Sequence, residues 1–253
     1  MSDGTRTRDH RDHNPELYQL SYAHHERRNE SSSGSRACRL WSYTRVGFYD
    51  RVFAAGYDWF QVIPERAGQA RMRARTLAAA RGRVVELGAG TGLNLRHYPS
   101  AVEELVLTEP TEAMAQRLER RLADSGRRGQ VVHAPAETLP FEDDSFDTAT
   151  CVFVLCTVED PARAIAEISR VLRPGGRFLF MEHVRAPDAR LARWQDRLHD
   201  PWFAFANGCH CNRPTTELLD ASALQVEHVE RGRLPMQFPL VKPYALGSAA
   251  ATP

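Results

Sequence analysis

Residues 84–99 read VVELGAGTGLNLRHYP. Two β-branched residues lead into a carboxylate, Glu86. Gly88, Gly90 and Gly92 then alternate with small residues, and an amphipathic run follows. Glycine at alternate positions lets a backbone turn tightly and come close to a bulky group. An apolar strand that enters such a loop and leaves it toward a helix belongs to an open α/β sheet, where ligands bind at the carboxyl ends of the strands. The loop does not match the dinucleotide pattern G-x-G-x-x-G, because the third glycine comes one residue early and Leu93 takes its place.

The rest of the chain continues the alternation. Strands are expected at Arg83–Leu87, Glu104–Thr108, Gln130–His133, Asp147–Cys156 and Arg177–Glu182. Helices are expected to begin at Leu93–Tyr98 and to cover Thr111–Ala123, opening on a Thr cap, and Pro161–Leu172, with proline in the first turn. The Asp147–Cys156 run is apolar without alternation, as a strand covered on both faces should be. The fold class is therefore α/β: a doubly wound, Rossmann-like, mostly parallel sheet with helices on both faces and an antiparallel last strand. Glu65–Ala80 is rich in helix formers, and Trp41–Phe60 reads as one or two flanking helices.

Three segments follow. Residues 1–36 are rich in Arg, His, Asp and Ser and cannot bury a core. The codons open to Gly4–Thr7 and Leu17–Tyr22 include the antisense of a transfer-RNA T-arm and D-arm, in that order. Roughly the first 25 residues are accordingly expected to be an antisense transfer-RNA reading and not functional sequence. Residues 37–80 are assigned to N-terminal helices and residues 81–253 to the main domain.

Bulk properties exclude some partners. The formal net charge of +1 gives no electrostatic case for nucleic acid or an anionic membrane. Apolar runs such as Ala149–Val158 are too short and mixed to span a bilayer, so no integral membrane segment is expected. The five cysteines, Cys38, Cys151, Cys156, Cys209 and Cys211, form an odd, sparse set. They suit a reducing cytoplasm better than a disulfide framework.

The ligand follows from the carboxylates. Glu86 lies just ahead of the glycines and would suit a cationic ligand better than a pyrophosphate. Glu109 ends the second strand, where a carboxylate can accept both hydroxyls of a ribose. A nucleoside joined to an amino acid with a positive centre, S-adenosyl-L-methionine, satisfies both.

VELGAGTGLNL resembles the first motif of the class I S-adenosylmethionine-dependent methyltransferases, and LTEP their second. AETLPFEDDSFDTATCVFVLCTVED is similar to their third region, and EISRVLRPGGRFLFMEHV to the segment around their fifth strand. The resemblance covers about residues 83–184. It implies that the loop of Gly88, Ala89, Gly90 and Gly92 packs on the methionine part, that Glu109 binds the ribose, and that Ala136 and Glu137 flank the adenine, with Glu86 and Val154 also expected in the cofactor site. Pro135 stands where the family often has an acid, so recognition of the adenine amino group falls to backbone or to Glu137.

Beyond the fourth strand, VLCTV, MEHV, GCHCNR and VKPYALGSA resemble a narrower branch that methylates small thiols. That branch shades into the quinone C-methyltransferases and the bacterial phosphatidylethanolamine N-methyltransferases. The thiol enzymes carry an apolar N-terminal anchor, which the polar N-terminal residues here do not resemble. A small, apolar acceptor such as a thiol is expected. Methylation of a quinone precursor or phospholipid amine, or a non-catalytic cofactor-binding module, are the alternatives. The oligomeric state is left open.

Three residues are candidates to contact the acceptor. Cys156 ends the fourth strand, where it is either beside the transferred methyl group or a buried filler. His183 ends the fifth strand and could orient or deprotonate a substrate. His210, a second candidate for base or positioner, lies in a loop, Gly208–Arg213, expected to open a helix at Arg213–Ala221. Trp194, Trp202, Phe203 and Phe205 either wall an apolar pocket or pack helices. Cys209-His210-Cys211 offers three metal-ligating side chains with no second cluster in sequence, so no metal is expected.

Overall fold

The computed structural model describes Gly56 and residues 58–252. The N-terminal tail and most of the Trp41–Phe60 segment lie outside the described residues. Seven strands form one sheet: β1 (Gly82–Leu87), β2 (Val102–Thr108), β3 (Gly129–Val132), β4 (Phe146–Val152), β5 (Leu172–His183), β6 (Leu224–Arg233) and β7 (Pro243–Ala251). Their order is β3-β2-β1-β4-β5-β7-β6. The pairs β1–β2, β1–β4, β2–β3 and β4–β5 are parallel, and β7 runs antiparallel to β5 and β6. The order reverses between β1 and β4, which opens a crevice at their carboxyl ends. The expected fold class is the observed one.

Both faces of the sheet are covered. Val85 and Leu87 point into one core with Phe146, Ile165, Ile168, Phe178 and Phe180. Val84 points the other way, into a core with Leu77, Leu105, Leu107, Leu118 and Leu179. Helices α1 (Ala70–Leu77), α2 (Glu112–Ser125) and α3 (Pro161–Val171) supply these layers. In α3, Ala164, Ile165, Ile168 and Val171 repeat at helical spacing and are buried, while the Asp160 side chain caps the first turn by accepting from the Arg163 N–H at 3.0 Å. Three shorter helices follow: α4 (Ala189–Arg197), α5 (His199–Phe205) and α6 (Thr215–Asp220).

Several expected boundaries shift, each for a local reason. The helix after the glycine loop shrinks to a 3₁₀ turn, Leu95–His97, because Tyr98 precedes Pro99 and is held extended, at φ −68° and ψ 133°. The strand expected to reach Cys156 ends at Val152. Phe153 takes a left-handed φ of 62°, and the next three residues turn away. The helix expected over Glu65–Ala80 is interrupted by a π-helical turn, Glu65–Gln69, where Gly68 sits at φ 133°. The helix expected from Arg213 starts at Thr215, after Pro214. Thr111 precedes α2 as expected, but its side chain makes no capping hydrogen bond.

Candidate active site

The glycine loop lies at the crevice between β1 and β4. Gly88, Gly90 and Gly92 all have left-handed φ, at 54°, 58° and 87°. A Cβ on Gly88 would meet Val154 Cγ2 at 2.7 Å, and one on Gly92 would meet Leu118 and Leu95 at 2.9 Å. Packing alone therefore demands those two glycines. Gly90 differs: a Cβ there would find only Met114 Sδ, 4.0 Å away. Its bare backbone faces open space, the condition for close approach of a ligand.

Glu109 is fixed under this loop. Its Oε2 accepts the Gly90 N–H and its Oε1 the Thr111 N–H, each at 2.9 Å. Burial raises its pKa, opposed by these two donors. Each oxygen keeps a second lone pair. That is the acceptor set a ribose diol requires, so these residues fit a nucleoside ligand.

Glu86 is placed differently from Glu109. It is buried, and its carboxylate accepts the Asn94 amide at 2.7 Å and the Tyr98 hydroxyl at 2.8 Å. Asn94 in turn accepts from Arg73 at 3.0 Å, and Arg73 pairs with Glu65 at 2.7 Å. A buried polar chain thus ties α1 and the π-helical turn to the foot of the glycine loop. Burial pushes the Glu86 pKa up to about 7, against the pull of Asn94, Tyr98 and Arg73. Ala136 is buried in the core. Glu137 turns its Oε1 to the backbone N–H of Glu159 at 2.9 Å and so braces the loop before α3.

The acceptor side is built around a carboxylate that sequence reasoning passes over. Glu182 is fully buried on β5. Its Oε1 accepts the N–H groups of Val154 and Leu155 at 2.9 and 3.0 Å, and its Oε2 that of Cys156 at 3.2 Å. This carboxylate turns the chain after β4, which explains why the strand stops early. Burial raises its pKa, with the Val154 N–H the strongest opposing donor. A signal for it exists in the chain: FLFMEHV carries an acid inside an otherwise apolar strand. From the other side, Arg213 is buried and donates to the Leu155 and Val158 carbonyls at 2.6 and 2.7 Å.

Cys156 and His183 are brought together. Cys156 Sγ lies 3.6 Å from His183 Nδ1, and Cys209 Sγ lies 3.8 Å from the same nitrogen. The His183 ring stacks on Phe153 with centroids 4.4 Å apart. Hydrogen bonding to Cys209 and burial push the Cys156 thiol well up, and the same contact draws the Cys209 thiol down, with His183 adding to it.

The tripeptide Cys209-His210-Cys211 does not converge. Cys211 Sγ faces the Gln195 carbonyl, and His210 Nδ1 faces His199 Nε2 at 2.8 Å. His210 meets the cluster through its backbone, whose N–H donates to the Cys156 carbonyl at 2.7 Å. Burial lowers its pKa to about 4, with Arg213 and His199 contributing. Of the aromatics, Trp202 packs on the cysteine cluster, while Phe205 and Phe238 flank it at centroid distances of 5.9 and 5.6 Å. Trp194 is half exposed and lies under Arg197.

Residues 85–180 match the model of a methyltransferase domain. A thiol S-methyltransferase of Homo sapiens, TMT1B, is 33% identical over 179 residues, which cover 68% of this chain and 73% of that protein. The chain belongs to the class I S-adenosylmethionine-dependent methyltransferases. The family implies S-adenosyl-L-methionine as methyl donor, in keeping with the groups gathered at Gly90 and Glu109. A demethylmenaquinone methyltransferase of Clavibacter sepedonicus is 37% identical over 123 residues, 48% of this chain and 50% of that one. In fold, the enzyme matches the crystal structure of the YcgJ protein of Bacillus subtilis. The TM-score is 0.60 at 21% identity, covering 73% of this chain and 99% of that one. Among the described residues, no helix of the methyltransferase is long and apolar enough to cross a membrane.

Proposed function

We propose that the enzyme methylates the sulfur of a small, apolar thiol. S-adenosyl-L-methionine supplies an activated methyl group on a sulfonium centre. Glu86, Gly88, Ala89, Gly90, Gly92, Glu109, Ala136, Glu137 and Val154 form its side of the site, and Cys156, His183 and His210 the acceptor side. Within the donor side, Gly90 and Glu109 make the direct contacts. Glu86 acts from beneath as the foot of the loop, and its acidity lets it respond to a cationic ligand above.

The observation that carries the reading is the chemistry of the acceptor wall. Phe153, Trp202, Phe203, Phe205 and Phe238 surround soft sulfur and imidazole groups, with Phe205 and Phe238 left 63% and 60% exposed at the rim. Such a wall desolvates an apolar thiol, and transfer needs no base once the sulfur arrives as thiolate, the form that a nearby positive charge favours. The likeness to the human thiol enzyme supports it, because the matched length extends well beyond the domain model. The shorter match to the menaquinone enzyme favours a second reading, C-methylation of a quinone precursor. The described cysteines, all free, suit a cytoplasmic setting.

Methyl transfer from labelled S-adenosylmethionine to an alkyl thiol, a demethylquinone and phosphatidylethanolamine tests the proposal. Transfer to the thiol alone is expected. Transfer to the quinone and not the thiol overturns it in favour of the second reading.

A further inference from the structure

Cys156, His183 and Cys209 come from three separate segments: the turn after β4, the end of β5, and the loop before α6. Their ligand atoms, two Sγ and one ring nitrogen, all lie within 4.8 Å of one another. A tetrahedral zinc ion with Zn–S near 2.3 Å and Zn–N near 2.05 Å places sulfur and nitrogen about 3.6 Å apart. The two sulfur–nitrogen distances here are 3.6 and 3.8 Å. A hydrogen bond from Sγ to nitrogen could be met by one cysteine. Here two sulfurs and a ring nitrogen from three segments converge, a donor set that suits a borderline-soft ion such as zinc.

The surrounding structure holds these atoms in place. The Cys156 N–H is fixed by Glu182, and the Cys156 carbonyl by the His210 N–H. The His183 ring is clamped on Phe153. No fourth His, Cys, Asp or Glu joins the group among the described residues. Three protein ligands with one open position is the arrangement of a catalytic zinc site, whereas structural sites close all four.

We propose that Cys156 Sγ, Cys209 Sγ and His183 Nδ1 bind a zinc ion whose fourth position takes the sulfur of the acceptor. The second half of this proposal rests on the thiol reading above. Two cysteinate charges and a neutral imidazole balance the ion. An incoming thiol binds as thiolate and gives its proton to solvent, since coordination deprotonates a thiol outright. The thiolate lone pair forms the new S–CH₃ bond as the sulfonium C–S bond breaks, and that bonding pair stays on the donor sulfur. An anion and a cation become two neutral thioethers, and the methylated product, now a weak ligand, leaves the metal.

The location suits such a step. Val154, two residues before Cys156, packs against Gly88, so the segment that carries Cys156 borders the glycine loop. The expectation of no metal comes from Cys209-His210-Cys211 taken together. The structure uses only the first of the three and draws its companions from elsewhere.

Metal analysis of the purified full chain is the test. About one zinc per chain is expected in the wild type and in Cys211→Ser, falling below about a tenth in Cys156→Ser and Cys209→Ser, since loss of a single thiolate ligand removes most of the affinity. Cobalt(II) exchanged into the site should give thiolate charge-transfer and tetrahedral d–d bands. The d–d bands should shift when an alkyl thiol is added without S-adenosylmethionine. A wild-type chain that carries no metal and takes up neither zinc nor cobalt overturns the proposal, as does one isolated with a Cys156–Cys209 disulfide. Metal-free protein that still methylates the thiol overturns the acceptor role of the zinc and leaves the thiol reading standing. A zinc-loaded protein whose cobalt bands ignore the thiol, and which methylates only the quinone, overturns the acceptor role and the thiol reading while leaving the metal.

Discussion

The donor and acceptor sides of the crevice are built in opposite ways. On the donor side, Glu86, Gly88, Gly90, Gly92 and Tyr98 come from one short run of chain, with Glu109 added just after the next strand and Ala136, Glu137 and Val154 from later turns. Backbone conformation shapes that surface. On the acceptor side, Cys156, His183 and Cys209 come from three segments, and two buried charged groups, Glu182 and Arg213, hold the turn after β4 by its backbone. A surface made of backbone tolerates few residue types and changes little. One made by side chains gripping a turn touches the other half at Val154, whose side chain packs on Gly88, and can otherwise be altered apart from it. The two halves are thus separable, and substitutions should show it.

The largest effect is expected at Glu182. Glu182→Leu leaves three backbone N–H groups buried without an acceptor, a cost of about 3–9 kcal/mol in unfolding free energy at 1–3 kcal/mol for each. Urea denaturation measures it. In the folded fraction, thiol methylation should be lost while S-adenosylmethionine affinity stays within about threefold, roughly 0.7 kcal/mol. Equal loss of both would show that the halves act as one.

Glu86 gives the donor-side counterpart through pH. Its folded pKa of about 7 lies above the ordinary 4.5, so the folded state holds its proton where the unfolded chain has lost it. The stabilisation is fully present below pH 4.5 and is lost as pH rises from there through about 7. It amounts to about 3 kcal/mol over that window, at about 1.4 kcal/mol per pH unit. Denaturation of wild type and of the Glu86→Gln variant at pH 5, 6, 7 and 8 should converge toward low pH and diverge toward pH 8, where the variant is the more stable. A constant difference would mean that Glu86 is ionised throughout.

Glu109 should affect binding more than folding. Glu109→Ala is expected to weaken S-adenosylmethionine binding by about 1.5–3 kcal/mol, the scale of hydrogen bonds to a charged group. Calorimetric titration reads it. Unchanged affinity would remove Glu109 from the ribose and leave it only as the brace of the Gly90 and Thr111 N–H groups.

The same asymmetry decides what can be read from the chain. The glycine loop, the alternation of strands and helices, and Glu109 are legible because each is local: a strand, a turn and a carboxylate in fixed sequence order. The buried role of Glu86 is not, because Asn94, Tyr98 and Arg73 reach it only after the chain folds back. Cys156 and His183 both stand out in sequence, but Cys209 groups with its sequence neighbours, and nothing in a linear reading separates it from Cys211. The early end of β4 is hidden for the same reason, since the acceptor for its turn lies on β5. Residues that follow their partners in sequence declare themselves, and residues that meet only through topology do not.

His210 tests how far the acceptor wall extends beyond the three converging residues. Its place in the sequence makes it a candidate base, but burial holds it near 4 and its Nδ1 is engaged with His199. A histidine of that pKa is neutral throughout the physiological range, accepts a proton weakly, and contributes no inflection between about pH 5.5 and 8. His210→Gln should therefore lower kcat/KM for an alkyl thiol by less than about threefold, or roughly 0.7 kcal/mol, and keep the wild-type pH profile. A loss of about a hundredfold or more, the scale of general base catalysis, would put His210 in contact with the acceptor. Proton removal would then be assigned to His210 with His199, whose Nδ1 lies 2.8 Å from Asp200 Oδ1, and the acceptor side would no longer be defined by sulfur alone.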